Sequence, residues 1–368
     1  MSNPKLTILH VIDSLGIGGA EIMLLHTIRE LSEYNHIVVF LTTAKDHQPE
    51  FNTYAKVYKI NFRTWLLFFL YAYHLRKIIC DNLTEVDIVH AHLWKSVTLA
   101  RFATPNRFNF VFTIHSLLSK DPFAKNKLSL WIEKLTYRSS QKIIAVSETA
   151  LADYASMVKI RSTCHILHNC VREDFFRTKL TNNTNPETLR LVAVGNLREA
   201  KNYHFLLHTL SQAKGMSVLL DIYGSGPQEK ELEHIIDKNQ LKARLMGTRK
   251  DIPSVLPNYD LFIMASLYEG FGIALIEAMA TGLPVLISDI PAFREVAGDA
   301  AFYFSLHDEQ DLIQKIEHIQ FLKAENRLTP WREKCRERAK AIASKSTYLE
   351  KLRSIYTDSR QAIPMFQR

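Results

Sequence analysis

The sequence has few cysteines, and their arrangement builds no covalent or metal framework. Four cysteines in 368 residues are scattered along the chain without a C-x-x-C pair, at Cys80, Cys164, Cys170 and Cys335. This spacing argues against a disulfide scaffold and against a structural zinc site. It suits a protein of a reducing compartment.

Long apolar runs and a signal-peptide layout are also missing. No stretch reaches the about 18 apolar residues that a transmembrane helix requires. The first residues, Met-Ser-Asn-Pro-Lys, lead straight into a strand-like segment without the charged-then-apolar order of a secretory signal. We therefore expect a cytoplasmic protein, with the inner face of the membrane as a second place where it could act.

The positive charge is concentrated in the first half of the chain. The net charge is +8, and residues 1–180 hold 22 Lys and Arg against 15 Asp and Glu, whereas the rest holds 24 against 23. Such a half could attract an anionic membrane, a lipid-linked pyrophosphate acceptor or nucleic acid, or could be a solvated basic face. No basic run or recognition module singles out nucleic acid, so we expect no nucleic-acid partner.

Apolar strand-like runs alternate with helical patterns along the whole chain, which predicts α/β domains with parallel sheets. The polar, breaker-rich segment 178–186 separates two such series and is the best linker candidate. We predict two doubly wound Rossmann-like domains facing each other across a cleft, with boundaries at 1–177 and 178–347. The segment 339–357 has the pattern of an amphipathic helix.

The most informative segment lies between residues 261 and 282. The apolar run Leu261-Phe-Ile-Met-Ala265 predicts a buried strand, and the series 274–280 predicts a helix that ends at Thr281-Gly282. The turn between them holds Glu269, and Glu277 lies about one turn into the helix. Backbone N–H groups at a helix N-terminus bind phosphate, and carboxylates accept hydrogen bonds from sugar hydroxyls. The alternative is chance spacing with a solvated Glu277, but its neighbours are apolar and a carboxylate there needs a partner.

This segment resembles the signature of the retaining glycosyltransferases of family four (glycosyl transferases group 1, of bacterial surface-glycan type), which have the GT-B fold. The resemblance is carried by Glu269-Gly-Phe-Gly, Glu277-Ala-Met-Ala, Gly282-Leu-Pro-Val285, Ser288-Asp-Ile290 and Arg294-Glu295. It covers both predicted domains and is strongest from about residue 191 to 304. It implies that Glu269 faces the transferred sugar, that Glu277 binds the ribose, and that the terminal helix, residues 348–368, returns to the N-terminal domain.

Two loops of the second domain would hold the nucleotide diphosphate. The backbone of Gly270, Phe271, Gly272 and Ile273 forms the predicted phosphate-binding helix start. The loop 196–202 follows another predicted strand, and a cationic clamp there would stabilise the leaving diphosphate. The resemblance points to Lys201 as the phosphate lysine. It also exposes a departure, because Asn196 stands where the family has arginine, and Arg198 could supply that guanidinium. Solvated surface charge is the alternative for both cations.

The first strand is followed by a glycine-rich turn, Asp13-Ser-Leu-Gly-Ile-Gly-Gly-Ala-Glu21. The spacing lacks the third glycine of a dinucleotide fingerprint, and the second strand ends at Thr42-Thr43 without the acidic residue that binds a ribose. We therefore disfavour an NAD enzyme. Plain tight packing is one explanation of the turn; the family resemblance instead implies that Gly18 and Gly19 approach the diphosphate or the acceptor.

Histidines follow two predicted strands of the first domain. His115 ends a strand, where ligands of parallel sheets bind, although a lone histidine there is more often structural. The resemblance implies that His115 contacts the transferred sugar and stabilises developing charge. His90 and His92 have no third ligand at suitable spacing, so we predict no metal site. A role near the acceptor and a plain buried role remain equal alternatives for this pair.

The segment 62–77 joins aromatic bulk to basic residues. Trp65, Phe69 and Tyr73 recur at helical spacing, with Arg63 and Lys77 near the ends. Such a helix could lie in a bilayer interface, and a buried helix of the N-terminal domain is the slightly favoured alternative.

The sequence thus predicts a retaining hexosyltransferase that moves a sugar from a nucleotide diphosphate sugar to a hydroxyl of a glycan or lipid-linked acceptor. We favour UDP over GDP, expect neither metal nor cofactor by family analogy, and assign catalysis to Glu269 and His115. A GT-B nucleotide-sugar epimerase and a non-catalytic nucleotide-sugar or glycan-binding protein remain as alternatives. Asn196 is the feature that favours the non-catalytic protein.

Overall fold

The computed structural model describes residues 5–16, 18–42, 47–82, 86–121, 126–178, 187–213 and 215–361, with side chains as far as residue 358. The chain divides into two compact units. The first unit comprises Met1–Asn169 and Ser346–Arg368, and the second comprises Cys170–Lys345. Each unit is an α/β domain built on one parallel sheet.

The first unit contains a seven-stranded parallel sheet in the order β3-β2-β1-β4-β5-β6-β7. Its central strands are apolar and buried on both faces, as parallel sheets covered by helices require. The strands are β1 (Thr7–Ile12), β2 (Asn35–Phe40), β3 (Lys56–Lys59), β4 (Ile88–His92), β5 (Asn109–Ile114), β6 (Lys142–Ala145) and β7 (Cys164–Ile166).

Helices cover both faces of this sheet. They are α1 (Gly19–Glu30), α2 (Gln48–Tyr54), α3 (Phe68–Asp81), α4 (Trp94–Ala103), α5 (Lys127–Thr136), α6 (Glu148–Met157) and the terminal α15 (Lys345–Gln361). Right-handed crossovers together with the strand order place α3, α4, α5 and α6 on the face opposite to α1 and α2. Within the described residues, no helix is both long and apolar enough to cross a membrane.

The second unit contains a six-stranded parallel sheet in the order β10-β9-β8-β11-β12-β13. Its strands are β8 (Leu189–Val194), β9 (Val218–Tyr223), β10 (Ala243–Leu245), β11 (Leu261–Met264), β12 (Val285–Ser288) and β13 (Phe302–Phe304). Its helices are α7 (Glu173–Arg177), α8 (Tyr203–Gln212), α9 (Glu229–Lys238), α10 (Ile252–Val255), α11 (Ile273–Thr281), α12 (Pro291–Ala297), α13 (Glu309–Ala324) and α14 (Thr329–Ile342). The predicted α/β class with two parallel-sheet domains is confirmed.

The structure differs from the sequence prediction at several boundaries. The units divide between Asn169 and Cys170, ahead of the predicted boundary at residue 178, because α7 packs against α11 of the second unit. The predicted linker, residues 178–186, lies outside the described residues apart from Thr178. The continuous helix predicted for 339–357 is wrong: α14 ends at Ile342 and α15 begins at Lys345.

The terminal helix α15 belongs to the core of the first unit. Its buried residues Leu349, Leu352, Ile355 and Tyr356 join a cluster with residues of β1, β4, β5 and β6. The hydroxyl of Tyr356 lies 2.7 Å from Nδ1 of His90. The helix therefore closes one face of the first sheet even though the whole second unit separates it from that sheet in sequence.

We expect Leu352→Ala to lower the free energy of unfolding of the first unit by about 2–4 kcal/mol, because it opens a cavity at a core position. Leu352 is 1% exposed. Urea unfolding is followed by tryptophan fluorescence in a Trp331→Phe background, where the remaining tryptophans, Trp65, Trp94 and Trp131, all lie in the first unit.

Lys351→Ala is the matched control, since Lys351 is exposed on the same helix. We expect it to change the free energy of unfolding by less than about 0.5 kcal/mol. Equal effects of the two substitutions would contradict the packing of α15 against the first sheet.

Candidate active site

The predicted strand–turn–helix is present in the second unit. The buried strand β11 ends at Met264, and α11 begins at Ile273 with Gly272 as its N-cap. Gly272 has φ +95°, and a Cβ there would lie 2.9 Å from Cε1 of Phe293. Both facts require glycine, since side chains are strained at positive φ and the space is taken. The helix therefore starts abruptly, at a residue that has no side chain to cap its N–H groups.

Glu269 and Lys201 meet in the turn that precedes α11. The Lys201 ammonium donates to Oε1 of Glu269 at 2.6 Å, and the Ser266 hydroxyl donates to the same oxygen at 2.8 Å. Both partners of the ion pair are mostly buried, with Lys201 20% and Glu269 15% exposed. The backbone N–H of Leu267 also donates to the Ala200 carbonyl at 2.9 Å. Two loops separated by 68 residues in sequence thus form one surface.

The loop that carries Lys201 packs against the turn 223–227. A Cβ at Gly224 would overlap the carbonyl oxygen of Gly195, and one at Gly226 would overlap the backbone of Leu197. Backbone hydrogen bonds join the same segments, with Leu197 N–H donating to the Ser225 carbonyl at 3.0 Å. The two glycines therefore allow the close backbone approach that fixes the loop.

Arg198 lies on the same loop but is exposed. Among the described residues it forms no salt bridge, and its backbone N–H donates to the Asn196 carbonyl at 2.9 Å. Asn196 is half-buried. The structure therefore leaves the Arg198 guanidinium accessible to an anionic ligand. Lys201, on the same loop, is already paired with Glu269.

The backbone predicted to bind phosphate lies around the start of α11. The Phe271 side chain is 2% exposed and belongs to the core, so Phe271 could meet a ligand only through its backbone. Gly270 is also buried, while Ile273 is partly exposed. The first-turn N–H groups of a helix have no intrahelical acceptor, which makes this helix start suitable for an anion.

Glu277 lies farther along α11, near α7. Burial raises the pKa of its carboxyl to about 7, while Arg172 of the adjoining segment favours the charged form and Asp174 opposes it. Arg172 is itself paired with Asp174 at 2.9 Å. The two glutamates of the motif thus have different environments: Glu269 is ion-paired, and Glu277 is close to half-protonated at neutral pH.

In the first unit, the glycine-rich turn leads into α1. Gly18 is the N-cap of α1 and Gly19 its first residue. Gly18 has φ −106°, a conformation that is open to any residue. A Cβ at Gly18 would meet the carboxylate at the end of the Glu21 side chain, which would have to shift. That carboxylate accepts a hydrogen bond from the Ser14 hydroxyl at 2.8 Å, which ties the turn to the helix.

His115 follows β5 at the carboxyl edge of the first sheet and is partly exposed. Its Nε2 lies 3.2 Å from Nδ1 of His92. Burial lowers its pKa to about 4, so the ring is neutral at neutral pH. The structure thus places His115 in contact with the His90-Ala-His92 segment, which sequence reasoning treated separately.

Sequence reasoning missed a third histidine beside that pair. His10 of β1 is aligned with His90 of β4, and ring nitrogens of His10, His90 and His92 lie within 4.8 Å of one another. No third ligand follows His90 and His92 at suitable spacing in the sequence; the third histidine comes from another strand, β1. The cavity beside these rings has a volume of about 20 Å³, room for a single water and for no organic ligand.

Comparison with known proteins identifies the family of this chain as glycosyltransferases. Residues 174–341 match the family model "Glycosyl transferases group 1", and residues 17–175 match "Glycosyltransferase Family 4". The chain is 22% identical over 369 residues to N-acetyl-alpha-D-glucosaminyl L-malate synthase of Bacillus anthracis, covering 93% of this chain and 94% of that protein. It is 24% identical over 237 residues to the O-antigen chain mannosyltransferase RfbU of Salmonella typhimurium, covering 62% and 65% respectively.

Solved structures share the fold. The Anabaena protein Alr3699/HepE, crystallised with UDP and glucose, superposes with a TM-score of 0.80 at 17% identity, over 96% of this chain and 100% of that one. A glycosyltransferase from Rickettsia africae superposes with a TM-score of 0.81 at 20% identity, over 98% and 100%. These similarities confirm the predicted GT-B fold.

The shifted pKa of Glu277 predicts a pH dependence of stability. The folded chain keeps its proton up to about pH 7, whereas the carboxyl of an unfolded chain, with a pKa of 4.5, has already lost it. The contribution of Glu277 to the free energy of unfolding should therefore fall as the pH rises from 4.5 to 7, by on the order of 2–3 kcal/mol. Glu277→Gln should remove this fall.

The measurement is urea unfolding between pH 5 and 8, followed through Trp331 in a variant whose other tryptophans are phenylalanine. Glu333→Gln is the control, because Glu333 is exposed on α14 of the same unit. Parallel pH profiles for the wild type and Glu277→Gln would contradict the raised pKa.

Proposed function

From the premise that the chain belongs to the glycosyltransferases that join a Family 4 domain to a group 1 domain, we propose that it is a retaining hexosyltransferase. It transfers a sugar from a nucleotide diphosphate sugar to a hydroxyl of a glycan or lipid-linked glycan. Donor binding is assigned to the second unit, and recognition of substrate hydroxyls to His115 of the first.

The contact between Lys201 and Glu269 carries the proposal. The Lys201 ammonium lies 2.6 Å from the Glu269 carboxylate, and we propose that it supplies the positive charge that a departing diphosphate needs. Phosphate oxygens would compete with Glu269 for Lys201 and leave Oε1 of Glu269 open to a sugar hydroxyl. The start of α11 adds backbone N–H donors to the same region. Exposed Arg198 adds a second cation from the Lys201 loop.

Retention follows most simply from a front-face displacement. The bond between the anomeric carbon and the phosphate oxygen breaks, and the acceptor oxygen bonds to that carbon on the same face. The acceptor proton passes to the leaving phosphate oxygen, so no protein base is required. Glu269 positions the sugar: once phosphate competes for Lys201, its Oε1 keeps the Ser266 hydroxyl and can accept a hydrogen bond from a sugar hydroxyl. Lys201 and the helix start supply the positive charge, and we propose that no metal takes part.

The nature of the donor and acceptor is proposed from relatives. The Anabaena protein was crystallised with UDP and glucose, which supports a UDP-sugar, with GDP as the second choice. The Salmonella relative is named an O-antigen chain mannosyltransferase, which supports a surface glycan as acceptor. Glu277 would bind the ribose hydroxyls of the donor.

Lys201→Ala should lower kcat/KM about 100-fold to 1000-fold, the usual effect of removing one electrostatic donor to a transition state. Glu269→Gln should lower kcat strongly while the chain still binds UDP. The assay measures release of UDP or GDP from a panel of nucleotide sugars with a lipid-linked glycan acceptor, and calorimetry measures nucleotide binding.

Lys230→Ala is the control, because Lys230 is an exposed lysine of the same unit. Wild-type activity of Lys201→Ala and Glu269→Gln would refute the assignment. Sugar isomerisation without acceptor would establish the epimerase instead. Tight nucleotide binding without any turnover would establish the non-catalytic protein.

An exposed apolar patch on the first unit supports a peripheral membrane contact. Phe68 and Phe69 of α3 contact Phe102 of α4 at ring distances of 5.0 and 6.1 Å, and α5 packs beside α4 on the same sheet face. In the segment 62–77, a 3-10 turn over Trp65–Leu67 leads into the half-buried helix α3, and exposed apolar side chains lie on both. The apolar patch consists of Leu66, Leu67, Phe69, Leu70, Tyr73, Phe102, Leu128, Trp131 and Leu135.

Basic residues surround the apolar patch, and one buried ion pair fixes its outer helix. Exposed basic residues are Arg63 just before the 3-10 turn, Arg76 on α3, and Lys127 and Lys134 on α5. The guanidinium of Arg101 lies 2.6 Å from Oε1 of Glu133, with both side chains buried, so that α5 is fixed to α4. We propose that this patch docks on an anionic bilayer, with apolar side chains entering the interface and basic side chains meeting lipid phosphates.

Replacing Leu66 and Trp131 together by serine should weaken binding to vesicles that contain phosphatidylglycerol by at least about tenfold, because two large exposed side chains lose their burial in the interface. Co-sedimentation at low salt measures this affinity. The matched control replaces Leu219 and Phe321, exposed apolar residues of the second unit, by serine. Absence of wild-type binding to such vesicles at low salt would exclude the proposal.

A further inference from the structure

Four histidines of the first unit form a continuous row of hydrogen-bonded rings. His36 Nδ1 lies 3.2 Å from His10 Nε2, and His10 Nδ1 lies 3.3 Å from His92 Nε2. His92 Nδ1 in turn lies 3.2 Å from His115 Nε2. The row crosses from β2 over β1 and β4 to the carboxyl edge of β5. We call it the histidine row.

A backbone carbonyl fixes the direction of these hydrogen bonds. Nε2 of His36 lies 3.0 Å from the Leu31 carbonyl oxygen, which can only accept. His36 must therefore carry its proton on Nε2, and its Nδ1 accepts from His10 Nε2–H. The same alternation passes through His10 and His92, because a neutral imidazole has one donor and one acceptor. It ends with His115 donating from Nε2.

The surroundings keep the rings neutral, as this alternation requires. Each hydrogen bond of the row joins a ring nitrogen of one histidine to a ring nitrogen of the next histidine. A protonated, charged ring would place two N–H donors opposite each other. Burial lowers the pKa of His10, His36 and His92, and the neighbouring rings lower those of His10 and His92 further. His90 stands beside the row with its nitrogens on Thr113 and Tyr356 hydroxyls, which can donate or accept.

The backbone after His92 is held in a strained conformation. Leu93 has φ +67° and ψ 150°, a region that side chains rarely occupy. One carboxylate oxygen of Asp13 accepts hydrogen bonds from the backbone and the hydroxyl of Ser96, at 2.9 and 2.5 Å, in the first turn of α4. Asp13 thereby caps the helix that Leu93 begins. The strained residue directly follows His92 in the chain.

The exposed end of the histidine row is Nδ1 of His115. Within the described residues, the structure gives this atom no hydrogen-bond partner, and the side chain is partly exposed at the sheet edge. With the proton on Nε2, Nδ1 presents a lone pair. It can accept a hydrogen bond from a hydroxyl and cannot donate one.

We infer that the Leu31 carbonyl, acting through His36, His10 and His92, sets the tautomer of His115 so that its Nδ1 accepts a hydrogen bond from a substrate hydroxyl. The inference rests on the proposed role of His115 in substrate recognition. It makes His36, His10 and His92 positioning residues. The site would then bind sugars or acceptors that have a hydroxyl able to donate to His115 Nδ1. An analogue without this hydroxyl would leave Nδ1 without a hydrogen-bond partner.

The test is long-range ¹H–¹⁵N correlation NMR of the full chain labelled with ¹⁵N-histidine, with assignments from single substitutions. In the wild type we expect neutral rings protonated on Nε2 at all four positions of the histidine row. His36→Leu removes the acceptor and should reduce the preference for this tautomer order roughly tenfold, since one hydrogen bond is lost. His36→Asn, whose amide oxygen lies near the place of Nδ1, should restore the order at His115.

Several results would overturn the inference. One is a wild-type His115 protonated on Nδ1, which can be seen without any variant. Another is a folded His36→Leu protein with an unchanged His115 tautomer. A shift of the ring ¹⁵N signals of His10, His90 and His92 on addition of one equivalent of Zn²⁺ would indicate a metal site instead of a row of hydrogen-bonded neutral rings. The measurement needs no substrate, so the tautomer result is valid even if the protein has no transferase activity. A different tautomer order would contradict this inference but not the proposed roles of Lys201 and Glu269 in transfer.

Discussion

Parallel sheets buried on both faces decide where polar chemistry can occur in this chain. Their strands, such as β1 and β8, provide apolar faces, and the backbone opens into loops only at the two strand edges. Lys201, Glu269 and His115 all follow the carboxyl ends of strands, which is the edge where ligands of such sheets bind. The same constraint makes any polar side chain inside a sheet face expensive unless it is fully hydrogen-bonded.

Neutral rings and ion pairs satisfy that requirement in different ways. Along the sheet of the first unit, buried imidazoles donate to and accept from one another without charge, although Arg101 and Glu133 form a buried ion pair between two of its helices. In the second unit, buried charge is paired directly, as in the contact of Lys323 with Asp260 at 2.8 Å. A row of neutral rings transmits orientation along the sheet, whereas an ion pair holds two elements together at one point.

The sequence predicts those parts of the site that are local or that follow a motif. The strand–turn–helix around Glu269 is contiguous, and its glycines are required by one φ angle and one close contact. His10 could not be placed beside His90, because the alignment of β1 with β4 joins segments about eighty residues apart through a sheet whose order no local pattern encodes. The edge strand β3 was missed because the sequence Lys-Val-Tyr-Lys has no buried face to mark it. Helical spacing found the aromatic residues of 62–77 but not which of them point outward.

The two glutamates of the motif show how one loop provides two carboxyl groups with different chemistry. Glu269 forms an ion pair with Lys201, whereas burial raises the pKa of Glu277 to about 7, so that both its acid and its carboxylate forms are populated near neutral pH. A carboxyl near its pKa can accept from a ribose hydroxyl once deprotonated, with little free energy separating its two forms. A carboxylate that is paired with a cation suits the hydroxyls of a sugar beside that cation, and a carboxyl near its pKa suits a neutral ribose, as we propose for Glu269 and Glu277. The two environments are thus compatible with the two proposed roles.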